Sequence, residues 1–181
     1  DAYRPQKAVN HFSRWSTNDD VLMKDSFYPN IKKLDLFKKG YLAAKSSHSR
    51  GSTVDLTIID IKHKQELDMG TSYDFFGIES SYDYSGLTYE QSSNRLLLYS
   101  VMKKYGFKPL KNEWWHFTLE NEPYSDMYFN FNVEWKMNNY NHYIYISLII
   151  CSCLSANNLQ NKYSLDVEKI IVQDSISSLL N

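Results

Sequence analysis

Apolar positions along the chain fall into separate blocks, and their spacing changes from block to block. Ala8, Val9, Phe12 and Trp15 recur at three- and four-residue intervals, the signature of one helix face. Pro5 stands where its fixed φ suits a first helical turn, so a helix is expected over residues 5–15. Ser16 to Asp20 is polar and breaks the pattern, and Tyr28-Pro29-Asn30 is a turn signal. A short helix is expected over 31–39, closed by Gly40. Residues 44–52 are small and polar and read as a loop. Residues 54–61 form a β-branched apolar run that reads as a buried strand. A charged turn over 62–66 leads to a return strand into Met69, and 74–85 reads as an ordered loop.

The strongest helix spans 88–105. Thr88 and Gln91 have capping-box spacing, and Leu97, Leu98, Val101, Met102 and Tyr105 share an apolar face. Lys103 and Lys104 complement the negative end of the dipole, and Gly106 closes it. Residues 107–110 lead to a second β-rich run, Glu113–Leu119. Residues 128–133 are aromatic and read as a last strand or an extended closing segment. The fold class that follows is α+β, a small and mostly antiparallel sheet with flanking helices.

Composition narrows the function classes. The length of 181 residues suits one domain. Lys plus Arg number 20 and Asp plus Glu 21, so the basic surplus of a nucleic-acid binder is lacking. The apolar stretch 143–154 falls short of the ~20 residues that span a bilayer, so no membrane span is expected. Cys151 and Cys153 sit one residue apart, a poor geometry for a disulfide and too few ligands for a zinc site. After about Glu134 the sequence turns polar and Asn-rich, and a weak helical pattern follows over 165–180.

Chemistry concentrates in two windows, Ser46-Ser47-His48-Ser49-Arg50-Gly51-Ser52-Thr53-Val54-Asp55 and Glu113-Trp114-Trp115-His116. A hydrolytic zinc site needs three protein ligands and one open position, and His48, Asp55 and His116 could supply the three. Glu113, a carboxylate three residues from a ligand, is the natural proton acceptor for the attacking water. Gly51 permits a tight reversal between His48 and Asp55. On a regular strand Glu113 and His116 would face opposite sides, so a bend or bulge is expected near Trp114. Taken singly, each histidine reads as an ordinary surface or core residue, and neither spacing alone specifies a metal.

The order of motifs is more specific. Asp1-Ala2-Tyr3-Arg4-Pro5-Gln6-Lys7-Ala8-Val9, the His48 window running on to Leu56-Thr57, Met69-Gly70-Thr71-Ser72-Tyr73-Asp74-Phe75-Phe76, the helical run from Asn94 to Phe107, and Glu113-Trp114-Trp115-His116-Phe117 together closely resemble the D-alanyl-D-alanine dipeptidases of the VanX type. The resemblance covers roughly 1–133. It implies one Zn²⁺ held by His48, Asp55 and His116, Glu113 as general base, and Arg4 as the cation that stabilises the oxyanion. It places Ser46 and Asp74 in the dipeptide pocket, with Asp74 reading the substrate ammonium. The implied substrate is D-Ala-D-Ala. Trp114 and Trp115 are expected to wall the site, and His11, His63 and His142 to be non-catalytic.

Against that family the chain lacks an N-terminal stretch of several dozen residues, which with the absent Met leads to the expectation of an N-terminally truncated dipeptidase domain over 1–134. Residues 135–181 have no recognised counterpart. They are read as a poorly ordered extension, a lineage-specific helix, or a tail for a membrane surface or partner. Two alternatives stay open: a related D,D-carboxypeptidase or cell-wall endopeptidase, and a zinc-binding but catalytically incomplete remnant. A bacterial setting, cytoplasmic or periplasmic, is expected; oligomeric state is left open.

Overall fold

The structure is a computed structural model and describes residues 1–133. The expected extension over 135–181, with Cys151, Cys153 and His142, lies outside the described residues.

Helix α1 (Gln6–Trp15) forms where the apolar spacing places it, with Pro5 as its extended N-cap at φ −62° and ψ 147°. A four-residue helix, α2 (Lys24–Phe27), follows. The helix expected over 31–39 is a single 3-10 turn, Lys33–Asp35, and turns then carry the chain to Gly40 at φ +79°. Burial explains the difference. Lys33 is drawn inward with Ile31 and Leu36, and its ammonium donates to the carbonyl of Asn18 at 3.2 Å while lying over the Trp15 ring. A buried ammonium must keep such partners, and the backbone follows them rather than a regular helix.

The apolar run over 54–61 is divided between two sheets. Strand β1 (Thr53–Asp55) belongs to the larger one, while β2 (Ile59–Asp60) pairs with β3 (Gln65–Glu66) in a separate hairpin. Leu56, Thr57 and Ile58 between them are all buried, which a strand with one solvated face does not allow. The return strand is accordingly shorter and earlier than the expected run into Met69.

Helix α3 (Tyr89–Lys104) carries the expected capping box: Gln91 N–H donates to Thr88 Oγ1 at 3.2 Å, and Thr88 N–H donates to Gln91 Oε1 at 3.0 Å. Strands β4 (Phe107–Leu110) and β5 (Glu113–Leu119) follow, and β5 lies between β1 and β4 with antiparallel pairing on both sides. Leu98 and Met102 of α3 join Leu56, Trp114, Trp115 and Phe117 in one core cluster. A second cluster of Tyr28, Ile31 and Leu36 packs with Trp15, Phe27 and Phe76. The closing segment over 128–133 is extended but unladdered. It runs beside the start of α1 and the 3-10 turn Ser47–Arg50, with Phe129 N–H donating to the Ser49 carbonyl at 2.8 Å. The α+β architecture with a small antiparallel sheet is as the residue pattern implies. Among the described residues no helix is long and apolar enough to cross a membrane.

Arg95 holds this frame together. It is 2% exposed, on the same α3 face as Leu98 and Met102. Its guanidinium donates to the carbonyls of Met69 at 2.7 Å, Ser81 at 2.6 Å and Glu79 at 2.9 Å. It therefore ties the loop containing Asp74 to the helix. Burial lowers its pKa to about 10, and it remains charged at neutral pH. Replacing Arg95 by Ala strands two buried carbonyls and a partly buried one and is expected to cost about 2–4 kcal/mol in urea-unfolding experiments.

Candidate metal centre

The local sequence delivers each group by a different device. Ser46 caps the turn Ser47–Arg50, its Oγ accepting from the His48 N–H at 3.3 Å, and Gly51 ends that turn at φ +71°. The reversal hands the chain directly to β1, so His48 sits just before the strand that carries Asp55. The β1–β5 register then sets Asp55 opposite His116, and Thr53 opposite Thr118. Cross-strand partners share a face, so the carboxylate and the imidazole meet, as do the two threonine hydroxyls at 2.8 Å.

Glu113 reaches the same face because β5 is irregular. Along β4 the pairing jumps from Pro109–Phe117 to Leu110–Glu113, so Trp114, Trp115 and His116 have no partner on that side. This is the bend the Glu-x-x-His spacing requires. Both tryptophans are buried by it, Trp114 donating from Nε1 to Thr71 Oγ1 at 2.9 Å and Trp115 stacking on Tyr73. They wall the site from the core side.

The resulting cluster is tight. His48 Nε2 lies 3.0 Å from Asp55 Oδ2, and His116 Nδ1 lies 2.9 Å from Asp55 Oδ1 and 3.4 Å from Glu113 Oε2. Arg4 Nη2 lies 3.4 Å from Asp55 Oδ2, and Arg4 is also paired with Asp1. One ligand atom from each of His48, Asp55 and His116 fits within 4.8 Å of the others. Ser46, Asp74 and Arg4 line a cavity of about 360 Å³ that these three ligands and Glu113 also face. Every sequence-predicted site residue is thus brought to one cavity.

The donor set fits a cation. His48 Nδ1 faces the Ala2 carbonyl at 2.7 Å and must donate there. A neutral His48 then turns its Nε2 lone pair toward the Asp55 carboxylate, two electron-rich groups at hydrogen-bond distance. Among the described residues neither His48 Nε2 nor Asp55 Oδ1 makes a well-aligned hydrogen bond, although both are buried and His116 Nδ1 lies 2.9 Å from Asp55 Oδ1. A metal ion satisfies both, and the carbonyl-bound ring nitrogen fixes the ligating tautomer. Desolvation alone would raise the Asp55 carboxyl, but the facing imidazoles outweigh it and hold it well below the usual range. Burial lowers the His116 pKa toward the neutral form that a ligand needs. Burial, reinforced by the charges of Asp55 and Asp74, raises Glu113 well above an ordinary carboxyl.

The histidines assigned no role divide in the same way. His63 pairs with Asp60 at 2.6 Å on an exposed hairpin, and His11 lies on α1 at the cavity wall. Of the aromatic side of the cavity, Phe12, Trp15, Tyr28, Tyr41 and Phe76, only Phe76 falls in a motif of the family resemblance. Phe12 and Trp15 belong to the face of α1, while Tyr28 and Tyr41 come from stretches with no periodicity.

Asp74 adopts φ +58°, a left-handed conformation that Asn tolerates equally well, and burial followed by repulsion from Asp55 raises its pKa to about 6. A raised carboxyl pKa means stability is lost as pH climbs from about 4 to about 6 and stays lost above. In metal-free protein Asp74→Asn is therefore expected to unfold at higher urea than the parent at pH 7.5, by about 1–3 kcal/mol. The gain should vanish near pH 3.5 in the same titration.

Comparison with known proteins agrees with this geometry. Residues 1–134 match the D-ala-D-ala dipeptidase family. The chain is 43% identical over 134 residues to a D-alanyl-D-alanine dipeptidase of Enterococcus faecalis, covering 74% of this chain and 66% of the relative. A protein of the same name from Enterococcus faecium is 42% identical over 135 residues, 74% of this chain and 67% of the relative. One from Streptomyces coelicolor is 42% identical over 134 residues, 74% and 66% respectively. The chain thus spans about two thirds of the length of these relatives. With its ordered motifs, its converging ligands and a match over most of its length, the chain belongs to the D-ala-D-ala dipeptidase family.

Proposed function

We propose that residues 1–134 form a catalytic domain that hydrolyses the dipeptide D-Ala-D-Ala, with one Zn²⁺ held by His48, Asp55 and His116. The observation that carries this reading is the convergence of His48, Asp55 and His116, one ligand atom from each within 4.8 Å of the others, with His48 Nε2 buried and without a hydrogen-bond partner among the described residues. When bound, the ion supplies Lewis-acid polarisation of a water and of the scissile carbonyl.

The chain's own groups carry the remaining work. Glu113 accepts the proton of the attacking water on a carboxylate oxygen and returns it to the leaving amine nitrogen. A carboxyl raised by burial suits a group that must hold a proton in mid-reaction. Arg4 presents a fixed guanidinium beside the ligand cluster, where it stabilises charge that develops on the carbonyl oxygen only in the transition state. Asp74 reads the substrate ammonium and Ser46 offers a hydroxyl to the dipeptide, both from the cavity wall. The Asp74 carboxyl is disfavoured as an anion in the empty cavity, and a cationic amine entering beside it relieves that cost.

A second reading has one observation in its favour. The cavity continues beyond the ligands to Phe12, Trp15, Phe27 and Phe76, more apolar wall than two alanine methyls require. That lobe suits a D,D-carboxypeptidase or cell-wall endopeptidase taking a longer peptide. Turnover of D-Ala-D-Ala compared with a pentapeptide ending in D-Ala-D-Ala separates the two, and faster cleavage of the pentapeptide would favour the second.

Glu113→Gln is expected to retain stoichiometric zinc, measured by atomic absorption, and to lower kcat for D-Ala-D-Ala by about 10²–10⁴-fold. Substantial residual turnover would remove Glu113 from the role of base. Chelation with dipicolinate is expected to abolish hydrolysis and lower Tm, and added zinc to restore both.

A further inference from the structure

The window that supplies His48 also contains Arg50, which the reading above leaves without a role. Each of its three guanidinium nitrogens makes a hydrogen bond outside the ligand cluster. Nε donates to Glu122 Oε2 at 2.6 Å and Nη2 to Glu122 Oε1 at 2.8 Å, a fork on one carboxylate. Nη1 donates to the Tyr128 hydroxyl at 3.1 Å. The side chains of Arg50 and Glu122 are only 15% and 11% exposed, so the pair is shielded from the screening that makes most surface pairs weak.

The contacts around this fork lead to two site residues. The strap that follows Glu122 accepts Gln6 N–H at the Phe129 carbonyl, 3.0 Å, and gives Phe129 N–H to the Ser49 carbonyl, 2.8 Å. Ser49 Oγ in turn donates to the Arg4 carbonyl at 2.8 Å, and Arg4 N–H donates to the His48 carbonyl at 3.3 Å. His48 Nδ1 closes the circuit on the Ala2 carbonyl. The turn carrying His48 and the segment carrying Arg4 are therefore bound to each other and to one strap, and the Arg50 fork anchors that strap to the turn.

We propose that Arg50, through its fork to Glu122 and its bond to Tyr128, is a positioning residue that sets the orientation of the ligand His48 and of Arg4. The inference rests on the metal-site reading above. It differs from a role in stability alone, because loss of the fork loosens a metal ligand while leaving the sheet and its Asp55–His116 pairing untouched.

The test is zinc affinity of the folded protein, measured by competition with a chromophoric chelator, together with kcat and KM for D-Ala-D-Ala. Arg50→Ala is expected to weaken zinc binding about 10–100-fold and to lower kcat with a smaller change in KM. Arg50→Lys keeps the charge but cannot form the fork, so it should resemble Arg50→Ala rather than the parent. The double exchange Arg50→Glu with Glu122→Arg should recover affinity toward the parent value. Tyr128→Phe removes a single bond and should weaken affinity about two- to tenfold, which keeps the test open if Arg50→Ala does not fold. Lys111→Ala, which breaks an exposed pair with Asp83, should leave affinity unchanged. Parent-like zinc affinity and kcat in Arg50→Lys and Tyr128→Phe, with only Tm lowered, would overturn the proposal and leave the metal-site reading standing. A parent chain that binds no zinc would overturn both.

Discussion

The site depends first on the antiparallel register between β1 and β5. With Asp55 opposite His116, carboxylate and imidazole share a face and lie within 3 Å. A shift by one residue would send Asp55 into the core where Val54 now packs and would bring Val54 to the ligand face. The same register places Phe117 opposite Val54 on the core side, so hydrophobic burial and ligand convergence are specified by one set of hydrogen bonds. Packing against α3 therefore protects the site without any residue of α3 touching it.

A regular sheet would still not suffice. Glu113 joins His116 only because the β4–β5 ladder slips between Pro109 and Leu110, and the slip sinks Trp114 and Trp115 together into the core. The tryptophans and Glu113 are thus parts of one device. Burial of two large rings offsets the lost ladder bonds, and the bend they stabilise turns the carboxylate to the cavity.

The cavity also carries an electrostatic burden. Asp55, Glu113 and Asp74 are close enough to repel one another, and Arg4 offsets the repulsion at Glu113 and Asp74 while lying 3.4 Å from Asp55. A protein evolved for stability alone would neutralise such a cluster, as Asp74→Asn would in part. Three carboxylates gathered beside two histidines fit the proposed role of the cavity in holding a cation and an ammonium. The strap from Glu122 and the Arg50 fork add the outer support that a loop-borne ligand such as His48 lacks from the sheet.

Sequence alone marked the candidate site, since His48, Asp55, Glu113 and His116 occur in an ordered set of motifs and all reach one cavity. It also determined α1, α3 and β5, because helical spacing, caps, a terminating glycine and a β-rich run are local signals. The need for a bend near Trp114 was legible too, since two residues three apart cannot share a face on a straight strand. Tertiary structure decided what local pattern cannot contain. The apolar run from Val54 split between two sheets because Leu56, Thr57 and Ile58 are buried on every side. The helix expected after Ile31 gave way to a single turn because Lys33 found its partners in a loop more than a dozen residues earlier. Arg95 carries no local sign of its role, yet three carbonyls from a distant loop make it a buried anchor. In each case the deciding partner is remote in sequence, and periodicity records only which face a residue shows, not what meets it there.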